Sequence, residues 1–217
     1  MKHLSTLIKS ILAGFCIAVG ALVYLALLPD HKMLGAFLFG IGLFSIFNFG
    51  LSLYTGKIGF LVEKNAAFLP ELGITWIGNF IGAAATGWLA AAFARPAVAD
   101  AWRQKAAALC DIKLGDAFWH TFVLAVFCGF LMFVAGDTNQ KAKHPLQRYL
   151  ATFLPVAVFI LAGFEHVVAN MAYFAIAGIF SWEMLVSILA ATLGNSVGAW
   201  LLPLGRRVYD KLDKKAA

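Results

Sequence analysis

The sequence predicts an all-α membrane protein, with six transmembrane helices in two inverted three-helix repeats and with helices 2 and 5 broken. Three observations carry that prediction. The chain of 217 residues is 62% hydrophobic and only 13% charged, about half the charged share of an ordinary soluble domain. Its apolar residues gather into six blocks divided by short charged stretches. Two of those blocks are interrupted by glycine and polar residues at corresponding places, and paired interruptions in two halves mark a transport site.

The first block, residues 5–28, is long enough to cross a hydrocarbon layer of ~30 Å. It exceeds the apolar core of a signal peptide, and no small-x-small cleavage site follows it, so a spanning helix is expected. The second block, 33–51, ends at Leu53-Tyr54-Thr55-Gly56-Lys57, and a short apolar piece, 58–69, continues from it. The third, 73–94, contains Gly78-Asn79-Phe80-Ile81-Gly82. The fourth, 115–136, contains Gly129-Phe130. The fifth, 147–163, runs into Gly163-Phe164-Glu165-His166-Val167-Val168-Ala169-Asn170, followed by the short apolar piece 171–180. The sixth, 182–204, contains Gly194-Asn195-Ser196-Val197-Gly198 and precedes a basic tail, 205–217.

The halves match by position. Gly78-Asn79 recurs as Gly194-Asn195, an offset of 194 − 78 = 116, and Gly14-Phe15 recurs as Gly129-Phe130, an offset of 129 − 14 = 115. Three spans per half is an odd number, so the halves must be inverted. One channel domain is therefore expected, with repeat one at about 5–95 and repeat two at about 113–204. The glycines form small-xxx-small faces that let helix backbones approach.

Charge sets the expected orientation. Six spans put both termini on one side, where Lys2, Lys9, Lys64, Lys141, Lys143, Arg148 and five tail residues gather. Lys32, Arg95, Arg103, Lys105 and Lys113 fall on the other. The positive-inside bias makes the first side cytoplasmic. The net charge of +6 thus reflects topology; nucleic acid is not an expected partner, because no folded basic face outside the membrane is present. Cys16, Cys110 and Cys128 show no metal spacing, so neither a metal nor a cofactor is expected.

The chemistry gathers at the interruptions. An ionisable pair such as Glu165-His166 at membrane depth is costly and points to function. A broken helix presents free N–H groups and a positive dipole end where its second half begins. Two such ends facing each other suit a small anion. His166 adds a group able to hand on a proton. Glu165 is read as holding the break in shape, with Lys113 as counter-charge, and Asn170 as capping the helix that follows. Asn195, a buried amide, needs partners. Thr55 either bonds the guest or caps the helix after its own break. Phe39, Leu43, Leu53 and Phe159 are candidate constrictions, with core packing as the plainer alternative. An enzyme using Glu165 and His166 as acid and base would lack a second carboxylate or a nucleophile–base pair. A water or neutral-solute channel would want paired Asn-Pro-Ala breaks, which the sequence lacks.

Taken together, Gly163-Phe164-Glu165-His166-x-x-Ala169-Asn170-Met171, Leu53-Tyr54-Thr55-Gly56 and the two Gly-Asn motifs resemble the formate–nitrite transporter family, in order and over essentially the whole chain. The resemblance implies an aquaporin-like fold, a homopentamer with one pore per protomer, and a prokaryotic-type inner-membrane location. It implies His166 as the central pore histidine and Thr55 as its partner on the opposite break. Asn170 joins them at the pore. Leu43, Leu53, Phe39 and Phe159 become two apolar constrictions, and Glu165, Lys113 and Asn195 a supporting polar network. The guests it implies are formate first, then nitrite, hydrosulfide, acetate or lactate, with or without a proton. Lys57 departs from the uncharged residue usual after Thr55-Gly56, which makes it a candidate gate. Gly129 stands where Asn is common, and few residues precede the first span, so no long N-terminal gating helix is expected.

Overall fold

The computed structural model describes residues 1–216, and every regular element among them is helical. Ala217, the last residue of the predicted tail, lies outside the described residues. In chain order the helices are α1 (Lys2–Leu27), α2 (Lys32–Leu38), α3 (Ile41–Asn48), α4 (Tyr54–Lys57), α5 (Leu61–Lys64), α6 (Leu69–Phe93), α7 (Pro96–Gly115), α8 (Phe118–Lys141), α9 (Pro145–Leu161), α10 (Val167–Ala177) and α11 (Trp182–Ala216). Four of these, α1, α6, α8 and α11, are long and apolar enough to cross a membrane. Two shorter apolar helices, α2–α3 and α9, stop at the interruptions read from the sequence.

Glycine decides how the long helices pack. A methyl group at Gly82 would collide with the Ile11 carbonyl, and one at Gly14 with the Asn79 carbonyl, so α1 and α6 cross backbone to backbone. In the other half, a methyl at Gly198 would meet the Val126 carbonyl and one at Gly129 the Asn195 carbonyl, where α8 crosses α11. The two crossings use the glycines whose recurrence the sequence displays. Close approach without side chains between helices is how membrane helices gain contact where lipid offers no hydrophobic drive.

Three elements differ from the sequence expectation. Residues 96–115, which the apolar pattern leaves unassigned, form α7, a 20-residue helix. Its alanines, rather than large apolar residues, bury it: Ala99 and Ala106 pack inward with Cys110, so hydropathy alone does not reveal it. The sixth block does not end at residue 204; α11 runs on as one 35-residue helix through the basic tail. The two half-helices after the breaks are unequal: α10 has 11 residues, whereas α4 has four and continues through a 3₁₀ turn at Ile58–Phe60.

Both termini lie at one end of the molecule. Arg206 of α11 donates to Asp137 near the end of α8 at 2.6 Å, and Lys2 at the start of α1 shares a cavity with Asn139 and Gln140 of α8.

Candidate functional site

Two asparagines build the breaks, and they do so in the same way. Asn79 accepts from the Tyr54 N–H at 2.8 Å, the first residue of α4. Its amide donates to the Ser52 carbonyl just before α4 and to the Ser10 carbonyl on α1, both at 2.8 Å. Asn195 accepts from the Val167 N–H at 3.0 Å, the first residue of α10, and donates to the carbonyls of Glu165 and Ala125, both at 2.8 Å. Each amide thus satisfies one orphan helix N–H and one carbonyl of the break, and ties the break to a carbonyl of the neighbouring long helix, the accounting a membrane interior enforces. The correspondence extends to the backbone. Ser52 donates to the Lys9 carbonyl and Leu51 to Ile46, while Glu165 donates to Leu124 and Phe164 to Phe159. These break residues pair at an offset of 165 − 52 = 113.

One consequence narrows the expectation that the helix ends present free N–H groups. The N–H groups of Tyr54, Val167, Ala169 and Asn170 are all taken by protein acceptors. The half-helix ends still point their dipoles inward, but these amides are not offered to a guest.

What the site offers instead is a side-chain pair. Thr55 on α4 and His166 before α10 meet at 2.8 Å between Oγ1 and Nε2, across the two breaks and 111 residues of chain. His166 Nδ1 accepts from the Ala169 N–H at 3.1 Å. A neutral imidazole carries one proton, and Nδ1 is occupied as acceptor, so Nε2 is the protonated nitrogen and donates to Thr55. Among the described residues the Thr55 hydroxyl proton has no acceptor. His166, not Asn170, is therefore the side-chain cap of α10. The ring fits that role because its Nδ1 reaches the third amide, as an N-cap oxygen would.

The carboxylate stands apart from this pair. Lys113 at the end of α7, rather than at the start of the fourth span, donates to both oxygens of Glu165 at 2.7 Å. Asn170 donates to Glu165 Oε2 at 2.6 Å, so its amide belongs with the carboxylate and not with the imidazole. Glu165 is buried, and an ammonium and an amide face it, the partners that a buried carboxyl group needs.

Two cavities approach the pair from opposite ends. One, of about 440 Å³, is lined by Lys2, Lys9, Leu53, Gly56, Lys57 and Glu71, among others. The other, of about 220 Å³, is lined by Lys32, Lys113, Phe159, Glu165, His166 and Asn170, among others. Phe159 stacks on His166 with ring centroids 5.4 Å apart, and Phe39 meets Phe159 edge-on at 6.0 Å. Phe39, Leu43, Leu53 and Thr55 are all buried. Lys57 lines the first cavity and is paired there, donating to Ser52 Oγ at 2.9 Å and to Glu71 Oε1 at 3.0 Å. Ser52 and Glu71 are the polar residues of this site that sequence reasoning missed. The signal was present, since a lysine beside a break at membrane depth needs a counter-charge.

A family model described as Formate/nitrite transporter matches residues 1–208. The chain is 27% identical over 215 residues to the uncharacterised transporter YrhG of Bacillus subtilis, covering 89% of this chain and 80% of that one. It is 24% identical over 180 residues to the formate channel FocA of Haemophilus influenzae, covering 75% of this chain and 63% of that one. The chain thus spans less than two thirds of that channel's length. A solved structure of a pentameric formate channel with formate bound has the same fold, with a TM-score of 0.81 at 21% identity, covering 97% of this chain and 98% of that one. The family and these relatives are transporters and channels, not enzymes.

Proposed function

The chain belongs to the formate/nitrite transporter family, and on that premise we propose that it passes small monovalent weak-acid anions, formate first, across a membrane through a pore centred on Thr55 and His166. Nitrite and hydrosulfide are the alternative guests, with acetate and lactate as larger ones. The observation that carries this reading is the Thr55–His166 bond, which joins the two helix breaks between two cavities.

In this reading six spans form two inverted halves: α1, broken α2–α3–α4 and α6, then α8, broken α9–α10 and α11. The shared pattern of Asn79 and Asn195 supports the inversion. Lysines at both cavities draw the anion in. Leu43 and Leu53 form one constriction, and Phe39 and Phe159 the other; a bare anion is costly in either. At the centre the guest takes the Thr55 hydroxyl proton as a hydrogen bond and competes with Thr55 for the His166 Nε2–H. Lys57 gates the first cavity by exchanging Ser52 and Glu71 for the arriving anion. Lys113, Glu165, Asn170 and Asn195 hold His166 in place. The chain forms a homopentamer in a prokaryotic-type inner membrane, with both termini cytoplasmic.

A proton step has a defined route. Nδ1 releases the Ala169 N–H and takes a proton, giving the imidazolium. Nε2 then gives its proton to the anion, leaving a neutral acid and a neutral ring protonated at Nδ1. Acidification on the side that supplies the proton therefore speeds flux. The test is formate flux into proteoliposomes across pH. His166→Ala is expected to lower flux by on the order of 100-fold, the scale of a positioned proton-transfer group, and to flatten its rise with acidity. Unchanged flux and pH dependence in that variant would sink the assignment.

A further inference from the structure

A further cavity lies at the end that carries both termini, off the Thr55–His166 axis. It encloses about 470 Å³ between the end of α3, the end of α8 and the first turns of α9. Asn48, Asn139, Lys143, His144, Arg148 and Tyr149 line it, and no carboxylate does among the described residues. Three other cations at this end are in ion pairs, Lys141 and Arg206 with Asp137 and Lys57 with Glu71, while Lys9, Lys64, Arg207 and Lys211 line no part of this cavity. Lys143 and Arg148 are in no ion pair among the described residues; Arg148 reaches only the Ala142 carbonyl, at 3.4 Å. Helix α9 begins at Pro145, in the cavity wall, so its positive dipole end adds to the same field.

The surface next to this cavity is the opposite in character. A groove between α8 and α9 shares His144 with it and is lined mainly by Leu131, Val134, Leu146, Leu150, Leu154 and Val158. From Leu146 to Val158 the seam runs roughly 18 Å at 1.5 Å per residue. A small anion would use the cationic cavity and leave the seam unexplained. A second copy of the chain would cover the seam and bring no need for two unpaired cations. A phosphate joined to an acyl chain uses both, and basic pockets between membrane helices are where anionic headgroups settle.

We propose that Lys143 and Arg148 bind the phosphate of an anionic phospholipid whose acyl chain lies in the α8–α9 seam. This rests on the chain being an integral membrane protein and not on which anion it transports. The cavity also shares Phe47 and Asn139 with the vestibule below Leu53, so the bound headgroup sits beside the pore mouth.

Native mass spectrometry of the full-length protein, delipidated and titrated with phosphatidylglycerol or phosphatidylcholine, tests this. The wild type is expected to retain one phosphatidylglycerol per chain where phosphatidylcholine is lost. Lys143→Gln with Arg148→Gln is expected to weaken that binding about 30-fold, the effect of two basic residues near a lipid phosphate. Leu150→Asn in the seam weakens it too, while Arg207→Gln with Lys211→Gln in the tail does not. Equal retention of the two lipids, or undiminished binding by the double variant, overturns the proposal. So does displacement by formate or glycerol 3-phosphate, which marks a small-anion site, or loss of lipid only when the oligomer dissociates, which marks a chain–chain interface. Where the double variant fails to fold, each single variant carries the test with about fivefold weakening.

Discussion

A single hydrogen atom organises the residue scale. Because Ala169 donates to His166 Nδ1, the imidazole proton sits on Nε2 and points at Thr55. That makes the pair directional: the ring gives, the hydroxyl receives, and the hydroxyl's own proton remains for a guest. Thr55→Val keeps the shape and removes both functions. It strands the Nε2–H in a dry interior at a cost of about 1–3 kcal/mol and removes the donor proposed to meet the anion. Formate flux is expected to fall by at least tenfold, with the protein still eluting at the wild-type volume; flux within twofold of wild type would show that Thr55 does not meet the guest. The neighbouring carboxylate has different partners. Glu165, with Lys113 and Asn170 on its oxygens, fixes the residue before His166 rather than touching Thr55.

At the scale of elements, the breaks exist because helices on either side are locked. Asn79 and Asn195 reach the breaks only if α1 meets α6, and α8 meets α11, at backbone distance. Gly82 and Gly198 permit that, since a methyl at either would strike the carbonyl of Ile11 or Val126. Gly82→Val and Gly198→Val are each expected to destabilise by about 3 kcal/mol or more through forced separation of the crossing helices. Gly205, in α11, has nothing near an added methyl. Gly205→Ala is expected to be neutral or to stabilise by up to about 1 kcal/mol, since alanine is the better helix former. Thermal unfolding in detergent separates the cases, and equal midpoints for all three variants would refute the close-packing account. The half-helices differ in length for a related reason. Beyond its break α10 is buried on all sides, whereas α4 and α5 run out to a surface where Lys64 and Asn65 are exposed.

Across the whole molecule, the end bearing both termini is tied together by one acid. Asp137 takes Lys141 and Arg206 at 2.6 Å each while itself only 5% exposed. This pins the continuation of α11 against α8, next to the vestibule. Asp137→Asn leaves one charge-poor acceptor for two cations and frees the helix end. Limited trypsin cleavage after Arg206 and Arg207 is expected to speed up on the order of tenfold, with little change in global unfolding; unchanged cleavage would place the restraint elsewhere.

Much of this molecule was legible in the sequence because a membrane punishes polar groups severely. Glu165, His166, Asn79 and Asn195 stand out within apolar blocks, and residues costly at that depth must have partners or tasks. The recurring Gly-Asn motif stands out for the same reason, and its two asparagines bond to their breaks in the same pattern. Helix α7 was illegible, since its burial is by alanine and its length carries charges throughout. The bookkeeping of donors was illegible too. Sequence placed two positive helix ends at the centre and left their amides open. Only the packed structure decided that Asn79 and Asn195 on crossing helices claim the Tyr54 and Val167 amides, because hydrogen-bond partners 25 and 28 residues apart are set by where helices cross. Spacing along the chain does not fix such crossings. The hydroxyl and imidazole proposed to meet the guest come from opposite breaks, 111 residues apart, and tertiary contact alone brings them together.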